Sequence, residues 1–239
     1  MQDWPVFPPG YEARLCVDDP FAVARQAAGE GAADGLLLWR DREDRLDAAL
    51  VLRPLDPLPH ALTLSYVGLL GLHDAFAGLA PPETPAALGW PDRFLVNDAI
   101  AGGIRVACGP LVEKAGFADV PDWLVLGFQV QIAGDPADDA KPGLELRYTS
   151  LFEEGCGEIR ARQLLESLTR HLLGWLERWQ DQGFEPVRRQ AELRQAEPRM
   201  RLEPGGDMSI DDGVNLQRHS LRESLARPSW QLPGHEAAS

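Results

Sequence analysis

The chain has 239 residues, 44 % of them apolar, which suits one large domain or a domain with a small appendage. Its formal net charge of −14 makes nucleic acid and anionic membrane surfaces poor partners. It has no apolar run long enough to span a membrane, and the start, MQDWPVFPPGYE, has neither the basic region nor the apolar stretch of a secretory leader. Cys16, Cys108 and Cys156 are widely spaced and odd in number, which argues against a disulfide framework or a CxxC zinc site and fits a reducing cytoplasm. Only Lys114 and Lys141 are lysines, so any chemistry that needs a lysine has just those two candidates.

Residues 12–17 read as an edge strand. Asp18, Asp19 and Pro20 then start a short helix, with an acidic N-cap and proline in the first turn, and glycine ends it. Residues 35–39 and 45–54 are two strands joined by the charged link RDRED. Pro57 and Pro59 open a helix in which Leu62, Tyr66, Leu69, Leu72, Phe76 and Leu79 recur at helical spacing. Pro81, Pro82 and Pro85 end it. Residues 89–107, GWPDRFLVNDAIAGGIRVA, read as a Trp-Pro turn, a strand, a polar turn and a second strand opened by a glycine pair.

Residues 121–132 carry the longest strand signal, and 133–143 form a loop by composition. Residues 159–182 are the best helix, with Ile159, Leu164, Leu168, Leu172, Leu176 and Trp179 on one side and Gly183 at its stop. Beyond Pro186 the pattern turns charged and weakly helical, followed by short strands around glycine-rich turns. This places a boundary near 187, dividing the chain into 1–186 and a small β-containing appendage at 187–239. The last dozen residues, PSWQLPGHEAAS, read as a loose tail.

Three segments together resemble the biotin/lipoate protein ligase family. Trp90-Pro91-Asp92, then FLVN, then Ala101-Gly102-Gly103-Ile104 is similar to that family's signature hairpin, which reads KWPND, strand, turn, lysine, apolar-Ala-Gly-Ile. Thr149-Ser150-Leu151, EEGCGEI and the helix up to Gly183 resemble its strand exit and closing helix. Residues 19–54 resemble its N-terminal helix, strand, basic loop and strand. The resemblance covers about residues 10–186 and implies an α+β fold. That fold is a mixed, largely antiparallel sheet packed on helices, like the class II aminoacyl-tRNA synthetase/biotin synthetase catalytic domain. The segment after 187 resembles the small β domain that follows it in many biotin ligases.

The resemblance also implies a reaction. If active, such a protein is an ATP- and magnesium-dependent ligase. It activates biotin, lipoate or a related acid as an acyl-adenylate and passes the acyl group to a lysine of a biotinyl or lipoyl carrier domain. Charge then builds on phosphate and carboxylate, which demands preorganised cations and backbone donors. The family supplies them from the turn lysine and from a glycine- and arginine-rich loop.

Here Ile100 falls where the lysine belongs, within the turn Asn97-Asp98-Ala99-Ile100. The loop between Trp39 and Leu46 is RDREDR, with Arg40, Arg42 and Arg45 but no glycine. Gly89 and Arg93 replace the first and last residues of KWPND. Arg105 follows the glycine pair, but a strand arginine is not equivalent to a turn lysine.

The expectation is a cytoplasmic ligase-like protein with degenerate adenylation motifs. It keeps a slot for a small biotin-, lipoyl- or acyl-type carboxylate, lined by Trp39, Arg40, Trp90, Asn97, Gly102, Gly103 and Arg105. It binds that ligand or its carrier domain without rapid ligation, and no metal site is expected. One alternative is an active ligase or acyltransferase in which Arg105, Arg40 or Lys114 stands in for the lysine. Another is a non-catalytic interaction protein that docks through its appendage.

Overall fold

A computed structural model describes residues 4–134, 148–211, 213 and 215–230. Most of the expected 133–143 loop, with Lys141, lies outside the described residues. In chain order, β1 (Glu12–Leu15) leads into α1 (Pro20–Gly29), whose N-cap Asp19 accepts the amide of Phe21. Strands β2 (Leu36–Trp39) and β3 (Arg45–Leu52) form the expected hairpin, followed by α2 (Leu58–Leu62) and α3 (Leu64–Ala77). The proline-opened helix is therefore two helices. Leu64 to Leu72 are buried on every side rather than along one stripe, and Leu79 lies beyond the end of α3.

Strands β4 (Ala86–Gly89), β5 (Arg93–Val96) and β6 (Ala99–Cys108) make a meander, one strand more than the sequence suggests. The turn between β5 and β6 is only Asn97-Asp98, both with positive φ (47° and 62°), as a two-residue primed hairpin turn requires. Ile100 is thus inside β6, not in the turn. A small unforeseen hairpin, β7 (Leu111–Lys114) and β8 (Phe117–Pro121), precedes β9 (Leu124–Gln131). Helix α4 (Ala161–Gln182) ends at Gly183, which has φ 73°. Next come α5 (Phe184–Leu193), strands β10 (Met200–Leu202), β11 (Met208–Asp211) and β12 (Leu216–His219), and α6 (Leu221–Leu225).

Among the described residues the main sheet has seven strands in the order β1-β2-β3-β9-β6-β5-β4. All neighbours are antiparallel except β1 and β2. Helices α3 and α4 cover one face. There Leu46, Leu50, Leu126 and Phe128 from the sheet meet Leu69, Leu72, Leu168 and Leu172 in one core. Helix α1 covers part of the other face, where Phe21, Ala24 and Ala28 pack on Leu36, Leu38, Ala49, Val51 and Val125. Both faces of β3 and β9 are therefore buried, which explains their near-continuous apolar runs.

The C-terminal sheet has the order β10-β11-β12. Residue 187 lies inside α5, and Phe184, Val187, Ala191, Met200, Leu202, Met208, Leu221 and Leu225 belong to the main core. Tyr66 links the two parts: its hydroxyl accepts the indole N–H of Trp90 at 2.8 Å and donates to the carbonyl of Gly206 at 2.5 Å.

Candidate functional site

Side chains of a strand alternate between faces. On β3, Ala49 and Val51 lie under α1, so Arg45 and Asp47 share their face but lie beyond the start of the helix. Asp47 pairs with Gln129 on β9, and Gln129 pairs in turn with Gly103 on β6. A polar row therefore crosses three adjacent strands on the α1 face. Arg45 and Gln131 flank it on one side and Arg105 on the other.

The row is buried. Arg45, Asp47, Gln129 and Gln131 are each less than a tenth exposed. The amide of Gln129 donates to Asp47 Oδ1 at 3.2 Å, and Arg40 approaches Asp47 Oδ2 at 3.5 Å. Arg105 Nη2 donates to Asp19 Oδ1 at 2.8 Å, and its guanidinium lies 4.4 Å over the ring of Phe21. Close packing of that ring also explains Gly127: a Cβ there would stand 2.6 Å from Phe21. Burial pushes the Asp47 carboxyl above the usual range and the charge of Asp19 adds to this, while Gln129, Arg105 and Arg40 pull it down. Burial also lowers the pKa of Arg45, helped by the nearby Arg42. Beside the row, burial and the neighbouring carboxylates push the Cys16 thiol up to about 11.

The RDREDR link is held by ion pairs. Arg42 pairs with Asp44 at 2.5 Å, and Asp41 pairs with Arg162 of α4 at 2.5 Å.

At its β6 end the row runs under the C-terminal segment. Trp230 is 3 % exposed and donates from its indole nitrogen to the carbonyl of Ile104 at 3.3 Å. Its ring clusters with Ile100 and Tyr148. A Cβ on Gly103 would collide with the carbonyl oxygen of Asp92 and would stand 2.5 Å from the Trp230 ring. Ser229 donates its backbone N–H to Asp92 Oδ2 at 2.9 Å and its hydroxyl to Asp92 Oδ1. Burial raises the Asp92 pKa, against the pull of these hydrogen bonds. The 228–230 part of the expected loose tail is therefore docked, because its serine and indole find a buried carboxylate, a carbonyl and an apolar floor. The tail beyond Trp230 lies outside the described residues.

Of the residues expected to line one slot, the structure brings together Arg40, Gly103 and Arg105. Gly102 is in the same strand, but a Cβ there would collide with the carbonyl of Gln129, so its smallness serves strand packing. Trp39 points to the opposite face, into the main core, 5.8 Å from Trp4 and 6.3 Å from Phe7. Trp90 packs on the α3 side through its bond to Tyr66. Asn97 sits at the hairpin tip and donates to Glu154 at 2.7 Å. Lys114 lies in the separate β7–β8 hairpin.

The sequence motifs do not single out Asp47, Gln129, Gln131 or Trp230; they give Arg45 only as a loop arginine and Asp19 only as a cap. The signal was there for the four strand residues. RLDAALVL and FQVQ each place polar residues two apart in otherwise apolar strands, the mark of a polar strip on one face.

Among the described residues no group of three or more His, Cys, Asp or Glu side chains could hold a metal, and no helix is long and apolar enough to cross a membrane.

The model of the biotin/lipoate A/B protein ligase family matches residues 7–192. A biotin–[acetyl-CoA-carboxylase] ligase of Paracoccus denitrificans is 31 % identical over 140 residues, covering 58 % of this chain. The match spans 55 % of that relative, about half its length. A crystal structure of a biotin protein ligase-like protein of unknown function from Silicibacter sp. TM1040 superposes with a TM-score of 0.80 at 29 % identity, covering 92 % of this chain and 98 % of that one. The biotin protein ligase of Aquifex aeolicus in complex with biotin and ATP shares the fold at a TM-score of 0.64 and 15 % identity, covering 87 % of this chain and 94 % of that one.

Proposed function

Because this chain belongs to the biotin/lipoate A/B protein ligase family, we propose that it binds a small carboxylate of the biotin, lipoyl or acyl type, free or on its carrier domain, without rapid ligation. The polar row is the binding site in this reading, with Arg40 and Arg105 as the cations and Gly103 as the floor.

One observation carries the proposal. Ile100, where the family resemblance calls for a lysine, is 2 % exposed and packed against Trp230 and Tyr148. Isoleucine supplies no ammonium there, and among the described residues the one lysine, Lys114, is in another hairpin.

The donor set favours a single negative charge. Asp19 and Asp47 already lie against Arg105 and Arg40, so each cation is partly neutralised before a ligand arrives. No adenylation step is assigned to these residues. A monocarboxylate suits this donor set: Arg105 Nε is buried and makes no hydrogen bond among the described residues, so an acceptor reaching it would satisfy a buried donor.

The test is ATP–pyrophosphate exchange with biotin, lipoate and octanoate in turn, alongside direct binding of each acid. Binding of one acid without exchange is the expected result. Exchange above background with any acid would replace this reading with an active ligase whose arginines do the work of the missing lysine.

A further inference from the structure

We propose that the segment around Ser229 and Trp230 is a built-in occupant of the acid slot, and that ligand enters only when this strap lifts. The proposal rests on the slot reading above and adds how the slot is controlled.

The contacts are those of a bound ligand rather than of a passing tail. Three donors of the strap meet acceptors of the β4–β5 turn and of β6: the Ser229 N–H and O–H reach the Asp92 carboxylate, and the Trp230 N–H reaches the Ile104 carbonyl. The indole stands on Gly103, where any side chain would overlap it, and against Ile100. Gly103 is also the end of the Asp47–Gln129 row, so the ring covers the approach to that row from β6.

The hold on this strap is local. The preceding helix α6 ends at Leu225, and Arg227 and Pro228 between them are exposed. Among the described residues, release means losing the indole's contacts with Ile100, Tyr148 and Gly103 and three hydrogen bonds, without unfolding a strand or helix. Such an occupant lowers apparent affinity by the fraction of molecules in which it is lifted.

The experiment compares the full chain with Trp230→Ala and, as the milder change, Ser229→Ala. Two quantities are read: hydrogen exchange of the 99–108 backbone, and the dissociation constants of biotin, lipoate and octanoate. The expected result is faster exchange at 103–105 in both variants, with at least one acid binding about tenfold tighter to Trp230→Ala and less markedly tighter to Ser229→Ala.

Unchanged exchange in both variants would mean that the strap does not cover β6, and would overturn the proposal. Faster exchange with equal affinities for an acid that binds would show a cover that guards nothing, and would overturn it as well. Faster exchange with no acid bound by any form would instead bring down the slot reading, and this inference with it. If Trp230→Ala does not fold, Ser229→Ala alone decides by the same two readouts.

Discussion

Arg105 of β6 and Asp19 at the N-cap of α1 meet at 2.8 Å, and the same guanidinium covers the Phe21 ring, so one side chain ties the sheet to the first turn of the helix above it. Both partners are largely shielded from water. Replacing Arg105 with alanine should cost about 1–3 kcal/mol of stability, from a charge-assisted bond and a cation–π contact. It should also weaken binding of the acid. Arg105→Lys should restore only part of either, because an ammonium cannot form the fork or the stack. Urea midpoints and acid titrations read both effects, and an alanine variant with undiminished acid affinity would place the slot elsewhere.

Trp90 should behave in the opposite way. Its indole serves Tyr66 on the α3 side of the sheet. Trp90→Phe is expected to lose about 1–2 kcal/mol through the orphaned hydroxyl lone pair and the lost hydrogen bond. The affinity for the acid should stay the same. The pair of variants at 90 and 105 thus separates structural from binding roles by their different patterns in the same two assays.

Asp47 sets a pH dependence. Its carboxyl is held above the usual range by burial first and by Asp19 next. The native state then binds a proton that the unfolded state has released. Stability from this group is full below the unfolded carboxylate pKa and is lost as pH rises through the raised native one. Asp47→Asn should flatten the decline across that window. Denaturation midpoints taken from pH 4 upward would show it, and parallel curves for the two proteins would refute it.

The thiols should be sluggish. Burial pushes both Cys16 and Cys108 up to about 11, and Cys156 is raised too. At pH 8 little thiolate is present, so iodoacetamide should label the native protein more slowly than the urea-unfolded chain at all three positions. Rapid native labelling of any of the three would refute this.

The Asn97-Asp98 turn offers a gain. Asp98 has φ 62°, a conformation that glycine adopts without strain. Asp98→Gly creates the Asn-Gly pair favoured in such turns and should stabilise the protein by about 0.5–1 kcal/mol. Thermal midpoints would measure it.

Much of the fold was legible in the sequence because its punctuation is strong. Asp19-Pro20 caps α1, Pro54 follows β3, and Gly183 stops α4 through a positive φ. The extra strand β4 was hidden in AALG, a run too short and too small to carry a period. The β7–β8 hairpin was masked by its exposed, mixed composition.

The candidate site was only half legible, for a geometric reason. Linear motifs suggested a slot from residues near the signature hairpin. Register, however, sends Trp39 and Asp47 to opposite faces and brings Gln129 beside Gly103. Strand pairing over long separations is invisible in a single sequence, and so is the return of residue 230 to residue 103.

The hydroxyl of Tyr66 has one further consequence. It stands between the indole of Trp90 and the carbonyl of Gly206, and Gly206 itself has φ 89° with Leu221, Thr63 and Tyr66 crowding the place of a side chain. A tyrosine, a tryptophan and a glycine in three distant stretches therefore meet at one hydroxyl. A lineage that replaces Gly206 would strain the turn that presents this carbonyl to Tyr66, and so disturb the one hydroxyl that joins the C-terminal sheet to the tryptophan of the signature turn.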